Sequence, residues 1–140
     1  MRTTPIGTAD SRPSILRAYC FNTDLVGHAV RILGNMVGGL YQVTKVNINN
    51  PDPLESVAIG VIAAKTSPST CLVVRLGPVA GVYDGLDYGR LLFVDVNAYL
   101  SAIPPARPVV GKRMLQSLGY AASSNVIVVN PSQPTLLVAS

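Results

Sequence analysis

Residues 56–77 read SVAIGVIAAKTSPSTCLVVRLG, and this stretch decides the fold class. Its two apolar segments, at 56–65 and 69–77, are rich in Val and Ile. Such β-branched side chains pack well on a pleated strand and lose rotamer freedom in a helix. Between them, Lys65 to Ser69 reads as a hairpin connection. A fainter copy lies downstream. Ala58-Ile59-Gly60 and Ser117-Leu118-Gly119 share the form [Ala/Ser]-[Ile/Leu]-Gly, and each leads through a turn into a continuous apolar strand, Cys71–Val74 and Val126–Val129. The glycine in each copy marks a place where two backbones approach closely or where a bulge forms. Two such units fall short of a solenoid.

Working outward, short apolar segments recur between turn residues at close spacing, which signals an all-β sandwich or small β-barrel. Strands are expected at 16–22, 29–33, 40–48, 56–65, 69–77, 90–95, 98–102, 113–121 and 124–129, with a last extended piece at 135–139. Gly34-Asn35 and Gly38-Gly39 can supply positive φ, Asn49 to Pro53 cannot continue a strand, and Ser123 to Asn125 reads as a further turn. Helix is scarce. Asp95 to Ile103 could form a short helix capped by Asp95, but a turn between two strands fits its β-branched and aromatic neighbours better. Arg107 to Leu118 starts poorly for a helix, at Val109-Val110-Gly111. Residues 1–14, interrupted by Pro5 and Pro13, show neither period and read as an extended N-terminal arm before a β-barrel domain at 15–140.

Composition narrows the function. Of the 140 residues 13% are charged, about half the usual share for a soluble domain. There is one Glu and there are three Lys, and the mean hydropathy is +0.39. A monomer normally covers itself with charge, so part of this surface is expected to be buried against other chains. The longest clean apolar run, Val57 to Ala64, is far below the roughly 20 residues of a spanning helix, and no apolar leader is visible after Met1, so no membrane partner is expected. The net charge of +4 is uneven: Arg2, Arg12 and Arg17 stand near the start, Asp84, Asp87 and Asp95 in the middle, and Arg107, Lys112 and Arg113 further on without any acid. Scattered single basic residues make nucleic acid a poor partner.

Nothing in the chain assembles into a catalytic or metal motif. His28 is the only histidine, without a neighbouring Ser, Cys or carboxylate in sequence. Cys20 and Cys71 lack metal spacing and read as buried free thiols, which suits synthesis in a reducing cytosol. Asp84-Gly85-Leu86-Asp87 offers two carboxylates but too few further oxygens for Ca²⁺, so a turn is the better reading. Gly111-Lys112-Arg113 is not the end of a phosphate loop, because Arg113 stands where Ser or Thr is needed. Tyr41, Tyr83 and Tyr99 are expected as core or interface anchors. No cofactor and no enzymatic activity are expected.

Several blocks, taken in order, resemble a known family. They are Asp24 to Ile32, Ser56 to Ile62, Thr70 to Gly77, Gly85 to Asp95, Leu118 to Ala121 and Val126 to Pro131. From Cys20 to Ser132 the chain is similar to the β-barrel domain of bacteriophage capsid decoration (cement) proteins, a pattern shared with some phage tail and fibre proteins. His28 stands where members often carry Asp after Val-Gly. The resemblance implies a structural, non-enzymatic virion protein that binds the outer surface of the head as a homotrimer, clamps major capsid protein subunits and is made in the host cytoplasm. A tail, baseplate or fibre-attachment protein is the alternative. An N-terminal arm often makes the capsid contact in such proteins. Within residues 1–19 the side chains suited to that contact are Arg2, Ile6, Arg12, Ile15, Leu16 and Arg17: apolar groups to fill pockets and guanidinium groups to hold carboxylates.

Overall fold

The computed structural model describes residues 14–50 and 52–139. Half of the chain is strand and 3% is helix, so the all-β expectation holds. Among the described residues the strands are β1 (Ser14–Tyr19), β2 (Ala29–Val37), β3 (Leu40–Lys45), β4 (Gly60–Ser67), β5 (Thr70–Ala80), β6 (Leu91–Val94), β7 (Leu100–Ser101), β8 (Lys112–Leu115), β9 (Ser117–Ala121), β10 (Val126–Val129) and β11 (Thr135–Val138), with one helical turn, α1 (Pro53–Ser56).

Five strands close on themselves in the order β1-β3-β2-β4-β5-β1, which makes the expected barrel. Only β1 and β3 run parallel. The hairpin between β2 and β3 turns through Gly38-Gly39, and both residues have positive φ, as a two-residue turn of matching twist requires. The interior holds Ala18, Cys20, Val30, Val43, Ile62, Cys71 and Val73, all buried. Full burial of a Val or Ile side chain contributes about 1.5–3 kcal/mol.

β5 outruns the barrel. Its first part, Thr70 to Leu76, pairs with β1 and β4, while Gly77 to Ala80 pair with β10. From there a second sheet continues in the order β5-β10-β9-β6-β7. Its inner face, with Val79, Ile127, Val129, Leu118, Leu92 and Val94, packs into a second core together with Val46, Ile48, Ala58 and Met114. A two-stranded ribbon, β8–β11, flanks this core.

The glycines of the internal echo do what their spacing predicts. A Cβ on Gly60 would collide with the Val74 carbonyl oxygen, and one on Gly119 with that of Val128. Each glycine lets its hairpin partner approach where no side chain fits.

The boundaries differ from expectation in three places. β1 runs from Ser14 to Tyr19 where a strand was expected at 16–22, and it is paired on both sides, by β3 and β5, so residue 14, expected as the end of the arm, is barrel wall. The stretch expected as strand from residue 56 starts at Gly60, because Ser56 closes α1; Asp52 caps that turn by accepting the Leu54 N–H at 3.0 Å, with Pro53 as its first residue. The expected strand at 113–121 is two strands interrupted at Gln116. Elsewhere the expected turn between two strands is found: Asp95 Oδ1 accepts the N–H groups of Asn97 and Tyr99 before β7 begins.

Candidate functional site

The outer face of the second sheet is apolar. Strand pairing sets Pro78, Val128, Tyr120 and Leu91 in one row across four strands. Alternation puts Leu76, Ala80, Val126 and Phe93 on the same side. Leu91 is 55% exposed, Leu76 47% and Tyr120 42%. None of these eight residues carries a formal charge at neutral pH. Sheets buried on both faces read as continuous apolar runs, as Leu91-Leu92-Phe93-Val94 and Val126-Ile127-Val128-Val129 do. Those runs are the sequence signal that locates this surface.

A second surface is the connection 102–111 between β7 and β8. Pro104, Pro105 and Pro108 stiffen it. Arg113 pins it, donating from Nη1 to the Ala106 carbonyl at 2.8 Å and from Nε to Asn49 Oδ1 at 2.7 Å, and Pro108 is buried. The pinned loop displays Val109 and Val110, 93% and 84% exposed. Arg107 and Lys112 flank them, both exposed. Beside the valines lies an open recess of about 470 Å³ lined by Asn49, Pro108, Val110, Gly111, Lys112 and Arg113.

The third feature is a buried polar cluster around the loop 20–28. The Asp24 carboxylate is fully buried and accepts the Phe21 N–H (2.9 Å), the Lys45 N–H (3.0 Å) and the Thr44 hydroxyl (3.1 Å). The Lys65 ammonium donates to the carbonyls of Phe21, Asp24 and Pro68 at 2.8–3.1 Å. His28 is buried, accepts the Leu25 N–H on Nδ1 at 2.8 Å and packs on Tyr99 with ring centroids 4.3 Å apart. Burial first, and the Lys45 charge second, lower its pKa below the ordinary 6.5. Tyr83 donates to the Gly27 carbonyl and accepts the Leu100 N–H, tying the barrel to the second sheet; burial pushes its pKa up to about 12. An open cleft of about 700 Å³ adjoins the cluster, lined by residues that include Thr23, His28, Lys45, Asn97 and Tyr99. His28, on which a base would depend, uses Nδ1 to hold its own loop, so this arrangement acts as a structural clamp.

The expected anchors divide. Tyr83 and Tyr99 are half-buried, whereas Tyr41 is exposed. Cys20 and Cys71 are free, buried neighbours in the barrel core, and burial raises the Cys71 thiol, with Cys20 adding to the shift. Asp84 Oδ1 accepts the Gly85 N–H in a turn. Among the described residues no three His, Cys, Asp or Glu stand together to hold a metal ion.

Of the expected contact residues, Arg2, Ile6 and Arg12 lie outside the described residues. Ile15 and Arg17 point out from β1 and are exposed. Leu16 points inward and packs against the barrel core, so its apolar surface is already engaged. Sequence reasoning missed Asp24, Lys65 and Gln116, whose roles depend on distant backbone. Gln116 is buried, accepts the Ala58 N–H at 2.8 Å and donates to the carbonyls of Ala58 and Ser132 at 3.0 and 3.2 Å. Its amide substitutes for a stretch of strand pairing. No family model, no curated protein and no solved structure matches the chain.

Proposed function

We propose that the chain is a non-enzymatic structural protein of a bacteriophage-type virion: a capsid decoration (cement) protein that binds the outer surface of the head as a homotrimer and holds major capsid protein subunits together. It needs no cofactor, nucleic acid or membrane for that task. The observation that carries this reading is the pinned, valine-tipped loop 102–111. Three prolines and the Arg113 hydrogen bonds fix its shape before binding, which lowers the ordering cost of docking. Two nearly naked valines then contribute about 1.5 kcal/mol or more each when buried in a partner's pocket. Arg107 and Lys112 around them favour an acidic partner surface and speed the encounter. Ile15 and Arg17 on β1, and Arg2, Ile6 and Arg12 ahead of it, supply additional contacts in this reading. The capsid as the partner comes from the family resemblance of the sequence.

The test is occupancy on heads built from the major capsid protein and lacking this chain, with the added protein located by imaging. Wild type should decorate the outer surface, and the double variant Val109→Ser/Val110→Ser should bind at least tenfold more weakly with an unchanged circular-dichroism spectrum. Density on the tail or baseplate instead of the head would replace this reading by the tail alternative. Undiminished binding of the double variant would remove the loop from the contact.

A further inference from the structure

We infer that the outer face of the second sheet is the surface through which copies of this chain bind one another. The inference rests on the reading of the protein as an assembling subunit, but not on its place in a virion. A four-strand row of Pro78, Val128, Tyr120 and Leu91, extended by Leu76 and Phe93, is a contiguous apolar face of the kind that soluble monomers seldom leave in water. Burying it among neighbouring copies gathered around one symmetry axis leaves no unpaired charge, because the face has none.

The rim supplies the reason for a self-partner. Arg75, hydrogen-bonded to Ser14 Oγ, sits beside Leu76 at one end of the face. The connection 81–90 at the other end carries Asp84 and Asp87 against Arg90 alone. The two ends of one face are therefore opposite in charge. Head-to-tail packing brings the basic end of each copy to the acidic end of the next, and such a contact closes into a ring when the rotation allows it. Other occupants fit less well. An anionic lipid surface would meet the acidic end. Residues 1–13 offer Met1 and Ile6 as their only large apolar side chains, and the basic loop 102–111 faces other chemistry.

Sedimentation velocity of the isolated protein at micromolar concentration tests this. Wild type should sediment as a closed oligomer. Leu91→Glu and Tyr120→Lys should each weaken association at least tenfold, and the control Leu54→Glu, on the exposed side of α1, should not. Circular dichroism checks that each variant folds. If the charged variants do not fold, Leu91→Cys gives a milder probe: its introduced thiol should react slowly with an alkylating reagent in the assembled protein and quickly on dilution. A monomeric wild type, assembly indifferent to the face variants, or an introduced thiol equally reactive at all concentrations would overturn the inference. Head binding is scored separately. A wild-type oligomer that ignores heads and tails alike leaves this interface standing and removes the virion reading, whereas a monomer that still decorates heads does the reverse.

Discussion

Strand β5 passes through two regions that meet solvent differently. Around the barrel, the outward side chains include Arg17, Arg31, Gln42 and Thr44, and Arg31 reaches across to Glu55 at 3.3 Å. Along the second sheet, the outward side chains are Pro78, Val128, Tyr120 and Leu91. The barrel has one interior and no free edges, and its exterior is mixed: Ile15, Met36, Val37 and Tyr41 are exposed beside the barrel's polar groups, while Ala29, Val61 and Val74 belong to the second core. The second sheet is open and apolar on both sides, and among the described residues only one side is packed into a core. The difference is one of closure: the barrel sheet ends on itself, and the second sheet leaves Leu91 and Tyr120 exposed on one side.

The largest effect expected within this comparison concerns the two close approaches. Gly119→Ala in the second sheet and Gly60→Ala in the barrel each drive a methyl group into a backbone carbonyl. Both should cost about 3 kcal/mol or more in urea unfolding at fixed protein concentration. Gly81→Ala, with open space around it but φ +78, should cost only about 1 kcal/mol. If Gly119→Ala proves as mild as Gly81→Ala, the tight packing assigned to the second hairpin is wrong.

Next come the two cores. Ile62→Ala in the barrel and Leu118→Ala under the second sheet should each cost about 3 kcal/mol, since both side chains are fully buried. Because β5 belongs to both regions, one shared transition is expected in both variants. An early separate transition in Leu118→Ala would show that the sheet unfolds on its own.

A smaller loss, about 2 kcal/mol, is expected for Gln116→Leu, which keeps the volume but strands the Ala58 amide and carbonyl. Melting of the purified variant measures it, and a neutral result would mean that another group takes over the pairing.

The smallest effect should be that of pH. The folded state disfavours the His28 imidazolium, so its contribution is complete above the ordinary value of 6.5 and is lost as the pH falls through the lower folded value. The urea midpoint should be flat above neutrality and decline on mild acidification, and His28→Gln should flatten that decline. A midpoint that rises on acidification would contradict the burial of a neutral imidazole.

Much of the strand list was legible because Val and Ile clusters, and the turns at Gly38-Gly39, Pro68-Ser69 and Ser123 to Asn125, are local signals. The Gly60 and Gly119 echo was legible for the same reason: the missing side chain is written in the residue. The site was less so. Asp24 and Gln116 look like ordinary surface residues in sequence, and only partners 21 and 58 positions away show that they are buried and satisfied.

By itself, then, the sequence determined the all-β class, the turns and the deficit of charge, since propensity and composition act residue by residue. Only the tertiary structure decided that five strands close while four others extend from β5 as an open sheet, that Leu16 faces its own core, and that Leu91 and Tyr120 share one exposed face. Those facts depend on which strands pair and in what register, and a shift of one residue would have reversed every face.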